Sequence, residues 1–302
     1  MDWKRLLLGT IMLLVAGLAA AESGTLPSPL TSDGGLRLGI VPFASTSNLL
    51  KIHRPLRDHL AQTLRRQVMV YTSTSHERFL DDALSGHFDV VVTTAHFLPM
   101  LVDDGFVPLV RYRNTFDLVL VVHKNSAIHG IGDLRGRRIG LPDRLSFYHI
   151  VGLQWLHTIG MEAGRDYTLS EQPSHRAELM AVALGRIDVA ITGFQALLQL
   201  DEDTRSQLRP IQAGTLALPS MTTLAHGSLG KAKVAEIQAA LLSFPQSGEG
   251  ARFFETTGYG GYVPATMGDI ENARPYEAII RRFWSGRTDH GDDIDRVLEH
   301  GQ

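Results

Sequence analysis

The sequence contains no cysteine. That absence excludes disulfide frameworks, thiolate zinc sites, iron–sulfur clusters and cysteine nucleophiles. It has no basic excess either: 29 Lys and Arg residues face 32 Asp and Glu, for a formal net charge of −3. Nothing global is therefore available to neutralise nucleic-acid phosphates. There is no Gly-x-Ser-x-Gly elbow, Walker A loop, His-Glu-x-x-His or Gly-x-Gly-x-x-Gly after a strand, so no known catalytic motif supports an enzyme. The 13 histidines are scattered, with none three or four residues from another. His53 and His59 share a helix at a poor ligand spacing. The acidic clusters at 201–203 and 292–295 read as a solvated turn and a polar tail. No metal, cofactor or catalytic residue is expected.

What is present is globular. At 302 residues, 44 % hydrophobic and 20 % charged, the chain has room for about two domains. Residues 1–21 read as a cleaved signal peptide: Lys4 and Arg5, an apolar run from Leu6 to Leu18, then Ala19-Ala20-Ala21. The run is shorter than the ~20 residues of a spanning helix, and without cysteine no lipid can be attached after processing. A soluble periplasmic monomer follows, with residues 22–35 as a flexible leader. Strand and helix signals then alternate, as in an α/β fold with mainly parallel sheets. Strands are expected at 36–41, 68–71, 89–93, 107–112 and 116–123, and helices at 48–66, 76–85 and 95–102. A second unit begins near Asp133, with helices at 146–159, 174–184 and 195–200 and strands at 167–170 and 187–192. Gly86-His-Phe-Asp89-Val-Val-Val-Thr93 parallels Gly185-Arg-Ile-Asp188-Val-Ala-Ile-Thr192, a short internal repeat suggesting two lobes of similar build.

Several segments carry a resemblance. They are Gly39-Ile-Val-Pro42, Pro55-Leu-Arg-Asp-His-Leu60, Ala83-Leu-Ser-Gly-His-Phe-Asp89, Ile131-Gly-Asp-Leu-Arg-Gly-Arg-Arg-Ile-Gly140, Ser174-His175 and Ala181-Val-Ala-Leu-Gly-Arg-Ile-Asp-Val-Ala190. In order and spacing they resemble the PhnD-like family, the periplasmic binding proteins of phosphonate, phosphite and phosphate ABC importers. The resemblance implies a two-lobe type II periplasmic binding protein fold, each lobe a mainly parallel sheet flanked by helices. Lobe 1 would comprise 36–123 and 225–302, and lobe 2 would comprise 124–224. The two crossover segments of the hinge would lie near 123–127 and 215–224, with ligand bound in the cleft between the lobes.

Four strand-to-helix junctions place anion donors where such a cleft would lie: Ser45-Thr46-Ser47, Thr93-Thr94-Ala95-His96, Arg144-Leu145-Ser146 and Ser174-His175-Arg176. Helix N-termini offer free N–H groups and a partial positive charge. Ser and Thr at helix starts are also ordinary N-caps, each worth about 1 kcal/mol, and Thr93 and Thr192 are ordinary strand-end residues. The resemblance places His175 on a ligand-contacting histidine and His76 where a tyrosine is usual. It also exposes departures. Where the phosphonate-binding branch has Ser-Thr-Ser, this chain has Arg144-Leu145-Ser146, and the tyrosine expected near Thr93 is missing. An arginine can still clamp an oxyanion, so Arg144 and His175 are expected to face the ligand. Two roles stay open: delivery of a small oxyanion to an ABC permease, or reporting it to a membrane histidine kinase as a sensory adaptor.

Overall fold

The computed structural model describes residues 35–285. The expected signal peptide, nearly all of the leader and the acidic tail at 292–295 lie outside the described residues. Eleven strands form two sheets. They are β1 (Leu36–Ile40), β2 (Val68–Thr72), β3 (Val90–Thr93), β4 (Phe106–Tyr112), β5 (Thr115–His123), β6 (Arg138–Leu141), β7 (Thr168–Glu171), β8 (Val189–Thr192), β9 (Leu208–Pro219), β10 (Thr222–His226) and β11 (Tyr262–Pro264). The α-helices are α1 (Thr46–Leu64), α2 (His76–Leu84), α3 (Leu98–Asp103), α4 (Phe147–Thr158), α5 (His175–Ala183), α6 (Phe194–Leu198), α7 (Glu202–Arg205), α8 (Lys231–Ser243), α9 (Gly248–Thr257), α10 (Met267–Glu271) and α11 (Glu277–Trp284). The helix expected at 95–102 opens as a 3-10 turn, Ala95–Phe97, before α3.

The first sheet runs β11-β4-β10-β3-β1-β2 and the second β7-β6-β8-β5-β9. Each is built on three parallel strands, β2-β1-β3 and β7-β6-β8. The remaining strands extend each sheet with antiparallel pairings. The chain passes between the sheets twice, at Arg113-Asn114 between β4 and β5 and at Ser220-Met221 between β9 and β10. The expected lobe boundary at 123 is thus corrected. β5 pairs with β8 and β9, so the first crossover precedes it rather than follows it. The residues 118–122 are buried on both faces, and a continuous apolar run carries no information about which sheet will take it.

The internal repeat proves to be one construction used twice. In lobe 1 the Asp89 carboxylate accepts from the Arg37 backbone N–H at 2.8 Å, from Nε at 3.1 Å and from Nη2 at 2.7 Å. In lobe 2 Asp188 accepts the same three bonds from Arg138, at 2.8, 3.2 and 2.8 Å. Two residues after each arginine a glycine admits the side chain preceding the aspartate. A Cβ on Gly39 would stand 2.5 Å from Phe88, and one on Gly140 would stand 2.3 Å from Ile187. The two pairs differ in solvent exposure: the Asp89 side chain is 2 % exposed and that of Asp188 31 %. Breaking a buried pair strands a charge and costs about 3–5 kcal/mol, whereas an exposed pair contributes about 1 kcal/mol or less. Urea melts should therefore show Asp89→Ala far more damaging than Asp188→Ala. Equal losses would contradict the burial argument.

Candidate functional site

Between the lobes lies a cavity of ≈ 90 Å³, space for several water-sized groups. Lobe 1 contributes Ser45, Asn48, His76, Thr94 and Tyr259. Lobe 2 contributes Ser146, Tyr148, His175, Arg176, Gly193, Gln195 and Gln199, and the second crossover adds Ser220 and Met221. Of the residues singled out in the sequence, Ser45, His76, Thr94, Ser146 and His175 share this lining. Thr46 and Ser47 lie in the exposed first turn of α1 and are not part of the lining. Thr93 is buried in β3 opposite Thr222. Thr192 stands behind the lining and acts through His175, whose Nδ1 is hydrogen-bonded to its hydroxyl at 2.8 Å.

Arg144, expected to clamp the ligand, is not in the lining. The turn before α4 instead directs its neighbour Asp143 at the first lobe, where Oδ1 lies 3.4 Å from His76 Nδ1. Burial pushes the Asp143 carboxyl up, but the hydrogen bond and charge of His76 more than offset that, and it stays below the usual range. Burial lowers the nearby His149 imidazole, and the charge of Arg144 adds a small part to that shift. A second tie crosses the cleft nearby: His96 Nε2–H donates to the Leu145 carbonyl at 2.9 Å, its ring stacked on Phe147.

The N-caps explain what the helix starts at the cavity are for. Ser75, Ser174, Asp201, Ser247 and Thr266 each accept a backbone N–H in the first turn of their helix. Ser45, Thr94 and Ser146, the hydroxyl N-caps that line the cavity, do not. An unmade cap forgoes about 1 kcal/mol. The Thr94 and Ser220 hydroxyls are buried with no protein partner at all. The ordinary structural reading of these residues, as caps, therefore fails at Ser45, Thr94 and Ser146, and Ser45 and Ser146 keep only long contacts of 3.4 Å to Ser47 Oγ and His175 Nε2.

Charge is kept out of the floor. Burial, with His76 adding its own charge, drives His175 down to about 3, so its imidazole is neutral. Its Nε2 is 3.4 Å from Ser146 Oγ. Beneath it Glu178 is fully buried, with Oε1 accepting the Ile191 N–H at 3.0 Å. Burial pushes that carboxyl well up, so the 3.8 Å approach of Oε2 to His175 joins two neutral groups rather than an ion pair. Asp117 accepts the Phe194 N–H at 3.0 Å, and burial, with the charge of Asp117 nearby, pushes the Tyr148 hydroxyl well up. No Asp or Glu is in the lining. The site presents hydroxyls, amides and imidazoles at the starts of α1, α4 and α5, and one guanidinium, Arg176, which also holds Asp201 at 3.3 Å, a set that donates to an anion. Among the described residues no cluster of three or more His, Asp or Glu could hold a metal.

The sequence reading missed Asn48, Gln195, Gln199, Ser220 and Tyr259. These reach the cavity from helix interiors, the crossover and the segment after α9, where no local signal marks them.

A family model described as the periplasmic substrate-binding protein of phosphonate ABC transporters matches residues 38–270. Solved structures share the fold at low identity. A binding-protein component of an ABC phosphonate transporter from Pseudomonas aeruginosa superposes with a TM-score of 0.69 at 15 % identity, covering 88 % of this chain and 93 % of that one. PhnD1 from Prochlorococcus marinus, in complex with methylphosphonate, gives 0.71 at 16 %, covering 82 % and 98 %. A Xanthomonas citri protein bound to ATP gives 0.62 at 17 %, covering 84 % and 99 %. The match spans both sheets and the residues of the cavity between them, and the chain belongs to the family of periplasmic substrate-binding proteins of phosphonate ABC transporters.

Proposed function

We propose that this protein captures a small oxyanion of the phosphonate, phosphite or phosphate type between its lobes and delivers it to an ABC permease. It would act as a soluble periplasmic monomer released by cleavage near residue 21. The observation that carries the reading is the set of hydroxyls in the cavity: Thr94 and Ser220 without partners, and Ser45 and Ser146 at caps they do not make, each holding only one long side-chain contact of 3.4 Å. A ligand that takes bonds from both lobes stabilises only the arrangement in which they are together, which is the logic of hinge closure.

Buried hydroxyls without partners cost stability, whereas hydroxyls that meet a charged ligand contribute affinity. Thr94→Val and Ser220→Ala should therefore leave the unliganded protein as stable as wild type or slightly more so. Each should weaken methylphosphonate binding roughly tenfold, since a bond to a charged group contributes about 1.5–3 kcal/mol. Thermal denaturation and isothermal titration of the same samples read both effects. Hydroxyls with a structural role would give the reverse pattern, lower stability and unchanged affinity, and that result would refute the proposal.

A further inference from the structure

A second space lies beside the cavity, on the far side of two residues of its wall. Asn48 and Gln199 line both, and the second space is the larger, at ≈ 450 Å³. Asn48, Lys51, Ile52 and Pro55 recur along one face of α1, and α9 forms the facing wall. The seven steps from Asn48 to Pro55, at about 1.5 Å each, make this groove roughly 10 Å long. The end of α6 closes it from the other lobe: Leu198 lines it, and its Cδ1 would stand 3.3 Å from a Cβ on Gly258. The groove is thus completed by the same approach of the lobes that completes the cavity.

Its walls are of two kinds. Ile52, Leu198 and Phe253 make an apolar strip, flanked by Lys51 and Arg252 against one acid, Glu249. Many arginines among the described residues hold a carboxylate, among them Arg37, Arg111, Arg138, Arg165 and Arg274. Arg252 is instead bonded to the Gly248 carbonyl, at 3.2 Å. Among the described residues neither it nor Lys51 is placed in an ion pair. A bare oxyanion in the cavity would leave this apolar strip and both cations to water.

We infer that the ligand is longer than its head: an oxyanion in the cavity, a chain of about 10 Å along the α1–α9 groove, and a second anionic group met by Lys51 and Arg252. This rests on the oxyanion reading of the cavity and specifies the class of molecule that the cavity takes.

Isothermal titration with three probes tests it: methylphosphonate, hexylphosphonate and 6-phosphonohexanoate. The carboxylated chain should bind at least about tenfold more tightly than methylphosphonate, a gain of about 1.4 kcal/mol. In Lys51→Gln/Arg252→Gln, 6-phosphonohexanoate should fall to the affinity of hexylphosphonate, while methylphosphonate is unaffected. That unchanged methylphosphonate affinity also shows that the variant is folded. The inference is overturned if methylphosphonate binds wild type as tightly as the longer probes, or if the double variant weakens all three alike. In both cases the oxyanion reading stands. Binding by no phosphonate of any length overturns that reading and the inference with it.

Discussion

The free energy of unfolding should fall steeply as pH drops from 6.5 towards 4. Four buried histidines set that slope. Burial lowers His53 to about 4, and His96 and His175 to about 3, and it lowers His149 as well. In the unfolded chain each takes up a proton near pH 6.5, so below that value the unfolded state binds more protons and stability is lost as pH falls. Each histidine contributes about 1.4 kcal/mol per pH unit. Glu178 works in the opposite direction. Burial pushes its carboxyl well up in the folded protein, so it holds its proton to higher pH there than in the unfolded chain, and its contribution declines as pH rises above its ordinary value. Asp104 and Asp117, also raised by burial, subtract a further part. The separate share of His53 is accessible by mutation. Its Nδ1–H donates to the Leu49 carbonyl at 3.0 Å, and its Nε2 is buried without a partner between Phe43 and Phe253. Relative to wild type, His53→Leu should be about 2 kcal/mol more stable at pH 5 than it is at pH 8, from one proton over about 1.5 pH units. Urea melts at the two pH values measure this. A difference that does not change with pH would show that His53 titrates as if exposed.

How far the sequence could be read differs between fold and site, for reasons that particular residues make plain. The αβ alternation through α6 was legible because strands and helices there are short, apolar in period and punctuated by Gly86 and Gly185. The repeat around Asp89 and Asp188 was visible, but its meaning was not. The arginines that complete it lie on strands about 50 residues earlier in the chain, and only strand pairing brings them into reach. The helices beyond residue 230 went unread: α8 buries only Ile237, Ala240 and Leu241, too sparse a stripe to announce an amphipathic helix. In the site, hydroxyls and histidines at helix starts were findable because a helix start is a local signal with a known direction. Arg144 failed for the complementary reason. The turn at 143–145 sends successive side chains different ways, and sequence does not say which of Asp143 and Arg144 will face the other lobe. The resemblance to the family supplied the cleft and His175, and could not supply Ser220 or Gln199, whose presence depends on where the crossover and α6 settle.

Replacing Gly193 by alanine should abolish ligand capture at a modest cost in stability. Its backbone, at φ −99° and ψ 156°, suits any residue, so the requirement for glycine is purely steric. A Cβ there would stand 1.9 Å from the Tyr148 hydroxyl oxygen and 2.5 Å from Cζ. Tyr148 cannot simply step aside. Its ring lies 4.1 Å from that of Phe116 and meets His175 edge-on at 5.0 Å. The direction left open is the cavity that the ring already lines, and ≈ 90 Å³ cannot hold both a displaced tyrosyl group and an oxyanion. Overpacking of this kind costs about 1–3 kcal/mol, tolerable for the fold. Methylphosphonate affinity should fall by more than about a hundredfold, equivalent to about 2.8 kcal/mol. The test is a double-mutant cycle with Tyr148→Ala, read by thermal denaturation and titration together. Groups in contact couple by about 0.5–3 kcal/mol, so Gly193→Ala should cost almost nothing once the tyrosine is gone. A full, additive penalty in the Tyr148→Ala background would mean that Gly193 is required for the start of α6 itself, and that its closeness to Tyr148 has no bearing on the cavity.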